Sequence, residues 1–109
     1  MIKSYADIDK NDLRGLVRRL DDLGRILIPK EYRRELGLER DDKVELYALK
    51  DGVLIRLWDG ESVAPVRRVD ALGRLIVPVK MRRALDIRFH DELEIFLLRD
   101  GIFIRKKLV

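Results

Sequence analysis

The amino-acid sequence predicts a mainly β fold with two short helices, built from two tandem β-β-α-β-β repeats that share one barrel. Three observations carry this. Val17 to Leu57 aligns with Val66 to Lys106 without a gap, with about two in five identical over roughly forty positions, which is hard to get by chance. Short apolar runs are punctuated by glycine and proline at the same places in both copies. A stretch of roughly forty residues buries too little surface to stand alone, so each copy's natural partner is the other.

The first element is a short alternating strand over Leu16 to Leu20, entering a turn at Asp21-Asp22-Leu23-Gly24 where Gly24 supplies a positive φ. Arg25 to Ile28 is a second, β-branched strand. Pro29 ends the ladder and suits the start of a helix over Lys30 to Leu36. Tyr32 and Leu36 share the apolar face of that helix, with Lys30, Arg33 and Arg34 away from it. Gly37 is the expected C-terminal cap. Lys43 to Leu49 and Val53 to Trp58 flank Lys50-Asp51-Gly52, a strong hairpin signal. Val44, Leu46 and Ala48 line one strand face, and Tyr47 and Leu49 make the other partly apolar, which fits a closed or interleaved barrel.

The second copy follows the same plan: a strand from Val66, a turn at Leu72-Gly73, a strand from Arg74, a helix from Pro78 and a hairpin at Asp100-Gly101, with Phe96, Leu97 and Phe103 as core. Asp86 stands where the first copy has its capping glycine, so a less tidy helix end is expected. The chain thus divides into a flexible arm at 1–15, a repeat at 16–58, a turn-rich linker at 59–65 and a repeat at 66–109. The linker's extended reach of about 25 Å lets one repeat fold back across the other.

Composition narrows the function. The 109 residues contain no cysteine, which excludes disulfides, thiolate metal sites and a cysteine nucleophile. No apolar run is long enough to span a membrane, and Met1 to Asp7 lacks a signal-peptide core, so a cytoplasmic protein is expected. The net charge of +4 is weak evidence for a nucleic-acid partner, but its distribution says more. In each repeat the arginines crowd the first half and acids follow (Glu39, Asp41, Asp42 and Glu45, or Asp91, Glu92 and Glu94), giving a basic end and an acidic end.

The run Val17-Arg18-Arg19-Leu20-Asp21-Asp22-Leu23-Gly24-Arg25-Ile26-Leu27-Ile28-Pro29, then Arg33-Arg34-Glu35-Leu36-Gly37-Leu38 and a hairpin, resembles the DNA-binding domain of the AbrB/SpoVT/MazE superfamily. The resemblance covers both repeats. It implies a swapped-hairpin β-barrel, here a fused pseudo-dimer similar in plan to the two-repeat MraZ-like regulators. It also implies a transcriptional regulator that binds double-stranded DNA in the cytoplasm, at the nucleoid, as a monomeric pseudo-dimer or a further homo-oligomer. Matched by position, the DNA-contacting arginines are Arg18, Arg25, Arg33 and Arg34, and in the second repeat Arg67, Arg74, Arg82 and Arg83. Guanidinium groups fork onto phosphates or onto guanine O6 and N7, which agrees with that role. The family's tolerance of varied, often AT-rich sites implies a contribution from DNA shape.

Other residues take plainer roles. Arg19 and Arg68 fall on the opposite strand face from Arg18 and Arg67 and are expected to be structural. Asp21 and Asp70 are turn formers or arginine orienters. His90 is a loop residue without metal-ligating companions, and Trp58 a packing anchor. Asp7, Asp9 and Asn11 mimic the opening of a calcium loop, but Asp12 and Arg18 stand where that loop needs its glycine and glutamate. Ser4 and Ser62 lack a nucleophile motif, no glycine loop cradles phosphate, and no acid pair suggests a cleft, so no enzyme, cofactor, metal or small-molecule substrate is expected. The alternative is a protein-interaction module, antitoxin-like or an assembly scaffold. The family antitoxins' toxin-wrapping tail has no counterpart after Lys107-Leu108-Val109, which favours the DNA-binding expectation.

Overall fold

Residues 3–4 and 15–107 are described by the computed structural model. The arm expected over 1–15, with the calcium-loop mimic, falls almost wholly outside them. Eight strands and two helices follow in the order β1 (Leu16–Arg19), β2 (Arg25–Leu27), α1 (Lys30–Leu36), β3 (Lys43–Ala48), β4 (Val53–Leu57), β5 (Val66–Arg68), β6 (Arg74–Ile76), α2 (Val79–Ala84), β7 (Glu92–Leu97) and β8 (Gly101–Lys106). The fold is mainly β, and each half of the chain repeats the expected β-β-α-β-β order. None of the described helices is long and apolar enough to cross a membrane.

Pairing interleaves the two halves. Six strands form one antiparallel sheet in the order β1-β7-β8-β4-β3-β5, and β2 and β6 form a separate ribbon. Only the hairpins β3–β4 and β7–β8 pair within a half; β1 with β7, β5 with β3, β4 with β8 and β2 with β6 all pair across halves. The registers obey a pseudo-two-fold axis. Val17 faces Glu94 just as Val66 faces Glu45, and Arg25 faces Ile76 as Leu27 faces Arg74. This is the two-repeat swapped-hairpin barrel.

The core is built from matched pairs. Leu20, Ile26, Ile28, Val44, Leu46 and Ile55, and their counterparts Val69, Leu75, Val77, Leu93, Ile95 and Ile104, are all buried in one cluster. A second cluster of Leu54, Phe96, Leu98 and Phe103, with Tyr47 and Leu49 against it, uses the other face of the hairpin strands. Ala48 departs from expectation and is exposed at the end of β3, where the strand runs out toward the hairpin turn.

The helix ends correct a second expectation. Gly37 takes the left-handed conformation after α1, with Leu38 N–H donating to Arg33 O and Gly37 N–H to Arg34 O. After α2, Asp86 adopts φ 54° and the same two bonds form, Ile87 to Arg82 O and Asp86 to Arg83 O. Both helices therefore close on the same motif. The aspartate endures the left-handed strain instead of avoiding it. Pro29 and Pro78 sit just before their helices, at the cap position, and their carbonyls accept from Arg33 and Arg82 N–H.

Candidate nucleic-acid interface

Each first turn is tied to the arginine that follows it. Asp21 Oδ1 accepts from the backbone N–H of Leu23 at 3.0 Å and of Arg25 at 2.8 Å, while Oδ2 accepts from Arg25 Nε at 2.7 Å. Asp70 repeats the pattern with Leu72 and Arg74, again ending in a 2.7 Å bond to Arg74 Nε. Burial pushes both carboxyls toward the neutral form, but hydrogen bonds from the arginine's backbone and side chain, with help from the leucine N–H, outweigh it and hold both below the ordinary aspartate value. Both aspartates are therefore the turn formers and arginine orienters expected of them. Fixing Nε leaves the terminal amino groups of Arg25 and Arg74 available for a partner.

The helix arginines reach across to the other repeat. Arg33 Nε donates to Ile28 O at 3.0 Å, and its guanidinium lies over Gly73, adjacent in sequence to Arg74. Arg82 Nε donates to Val77 O at 2.9 Å, and its guanidinium lies over Gly24, beside Arg25. Arg82 also stacks over the Phe89 ring at 5.1 Å. The structure thus builds two clusters, each mixing the repeats: Arg25 with Arg82, and Arg74 with Arg33. Sequence order had grouped these arginines by repeat, and had set Arg33 wholly away from the packed side of its helix. Both points are corrected by the swap, which brings the turn of one half under the helix of the other.

The remaining four arginines behave differently. Arg34 and Arg83 are exposed in the last turns of their helices, and their side chains make no hydrogen bond or ion pair among the described residues. Arg18 and Arg67 are half-buried on β1 and β5, each turning Nη1 back onto the preceding carbonyl, Val17 O or Val66 O, at 2.8 Å. The structure does not bring this last pair into either cluster. Arg19 and Arg68 bridge the repeats through His90 O and Asp41 O at 3.2 Å, the structural role expected of them. His90 is exposed, and Trp58 packs at the linker, its Nε1 reaching Ser62 O and its ring lying 4.8 Å from Lys43 Nζ.

Two pairs of residues escaped sequence reasoning. Gly24 and Gly73 serve as seats for the opposite arginines as well as turn formers, a role visible only once the swap is known. Leu27 and Ile76 point outward beside Arg25 and Arg74, which strand alternation would have signalled, since Ile26 and Leu75 between them are buried.

Residues 17–57 match the family model described as antidote-toxin recognition MazE, bacterial antitoxin. Stage V sporulation protein T of Bacillus subtilis (strain 168) is 51% identical over 41 residues, covering 38% of this chain and 23% of that protein. Transition state regulatory protein AbrB of the same organism is 40% identical over 42 residues, covering 38% of this chain and 44% of that one. The matches thus span less than half the length of these two curated relatives. The solution structure of PHS018 from Pyrococcus horikoshii superposes with a TM-score of 0.54 at 26% identity, covering 89% of this chain and 97% of that one. The chain is thus similar, over part of its length, to members of the AbrB/SpoVT/MazE superfamily.

Proposed function

We propose that the protein is a double-stranded DNA-binding transcriptional regulator of the AbrB type, gripping duplex DNA through its two mixed arginine clusters. The supporting observation is the pinning of Arg25 by Asp21 and Arg74 by Asp70 in matching geometry about one pseudo-two-fold axis. A guanidinium held before the partner arrives gives up less freedom on binding than a free one. Arg33, Arg34, Arg82 and Arg83 extend each cluster along the helices, and Arg18 and Arg67 join only by releasing their strand carbonyls. The two repeats, 16–58 and 66–109, act as one unit in a monomeric pseudo-dimer, working at the nucleoid in the cytoplasm and regulating promoters by occupancy, without catalysis.

Fluorescence anisotropy with mixed duplex DNA over a salt series tests this. Neutralising about five to eight phosphates gives a log–log slope near −5 to −7. The Arg25→Ala/Arg74→Ala variant should bind more weakly with a flatter slope. The description of the matching family as a toxin antidote favours a second reading, a protein-binding role. Absence of DNA binding even at low salt would select it.

A further inference from the structure

The outer face of the β2–β6 ribbon carries two branched aliphatic side chains among its arginines. Ile26 and Leu75 are fully buried beneath the ribbon, so alternation turns Arg25, Leu27, Arg74 and Ile76 outward. Leu27 is 38% and Ile76 46% exposed. The register sets Arg25 opposite Ile76 and Leu27 opposite Arg74, so each apolar side chain neighbours an arginine across the strands. The result is a two-rung checkerboard of methyl groups and guanidinium groups, symmetric about the pseudo-two-fold axis.

Resting on the DNA-binding reading above, we propose that Leu27 and Ile76 read thymine methyl groups in the major groove and so set the base preference of the site. A two-stranded antiparallel ribbon is one of the two protein shapes that groove admits, and the thymine C5-methyl is the apolar group displayed there. The flanking arginines suit the phosphates and guanine edges around it. Charge argues against a second copy of the chain as the occupant, because stacking two such faces would set Arg25 and Arg74 of one against those of the other. The same charge attracts a polyanion.

Uracil provides the test, since exchanging dT for dU removes the methyl and keeps the hydrogen-bonding edge. The full chain is titrated by anisotropy against a T-rich duplex and its dU-substituted twin. Burying one methyl is worth about fourfold in affinity, so the dT duplex should bind between about fourfold and fifteenfold tighter. The Leu27→Ser/Ile76→Ser variant, which removes the aliphatic methyl groups and leaves small polar side chains on the ribbon, should bind both duplexes alike, at close to the wild-type dU affinity. Equal wild-type affinity for the two duplexes overturns this inference and leaves DNA binding standing. A dT preference that survives in the variant overturns the assignment to these residues and moves it to duplex shape. Failure to bind either duplex removes the DNA reading itself. Self-association of the wild type that the variant abolishes, seen by sedimentation, would overturn the proposal in favour of a second copy.

Discussion

The guanidinium of Arg33 rests directly over Gly73 in the opposite repeat, where a Cβ atom would collide with it. Gly73 also has φ 84°, which costs a non-glycine residue about 1 kcal/mol. Gly73→Ala should therefore lower stability by about 1 kcal/mol in urea titration and, separately, displace Arg33. In DNA binding, Gly73→Ala and Arg33→Ala should be strongly non-additive, because both remove the same placed guanidinium. Gly24→Ala should disturb binding less, since a Cβ there would meet Arg82 Cζ at 3.1 Å. Additive losses at 24 and 73 alike would show that the seats do not matter.

Asp21 and Asp70 predict an acid response. Both carboxyls ionise more readily in the fold than in the unfolded chain, because the Arg25 and Arg74 bonds outweigh burial. That stabilisation is fully present above the unfolded aspartate value near 3.9 and is lost as pH falls through the lower folded value. The Asp21→Asn/Asp70→Asn variant should have a lower urea midpoint at pH 7. Its deficit should shrink below about pH 4, as the wild type loses the same contribution. A deficit constant with pH would remove the ionised bond as its cause.

The matched positions Glu45 and Glu94 should respond oppositely to substitution. Glu94 is bonded to Arg105 at 3.3 Å. Glu45 is 5% exposed, and its Oε2 finds no hydrogen bond among the described residues, because Arg56 across the strand pair lies 3.6 Å from Asp100 instead. A buried carboxylate oxygen without a partner costs about 1–3 kcal/mol. Glu45→Gln should leave stability unchanged or raise it, while Glu94→Gln lowers it by about 0.5–1 kcal/mol. Thermal unfolding of the two variants decides; equal losses would mean that Glu45 is paired in solution.

Asp86→Gly should stabilise the protein by about 1 kcal/mol by relieving a left-handed aspartate. The gain is reduced by whatever Asp86 contributes through Lys106 Nζ at 3.8 Å and Arg88 Nε at 3.5 Å. Both contacts are exposed and therefore small. Gly37→Asp, the mirror change, should destabilise, and a Tm that moves the other way in either variant would contradict the helix-end geometry.

Most of the fold was legible because its signals are local. Gly24, Pro29, Gly37 and the Asp51-Gly52 pair each dictate a backbone shape within a few residues, and the internal repeat tells that two such units must meet. Pairing across the repeats is not local. That Leu16 lies beside Ile95, or that Arg33 sits over residue 73, depends on how two halves interleave, and no spacing within one half encodes it. The positions of the candidate arginines could therefore be read, while their grouping into mixed clusters could not. The Asp86 helix end misled because propensity weighs a residue alone; here tertiary packing around α2 holds the same closure at a strained position.

Strand exchange within a single polypeptide has an evolutionary corollary. When two identical subunits make such a barrel, every change is imposed on both halves, and the face they present must recognise an inverted repeat. Here each half is a separate stretch of one gene. Ile76 already stands where the first half has Leu27, and Asp86 where it has Gly37. On the proposed DNA-binding role, selection can tune one half-site without disturbing the other, so the target is free to drift away from palindromy.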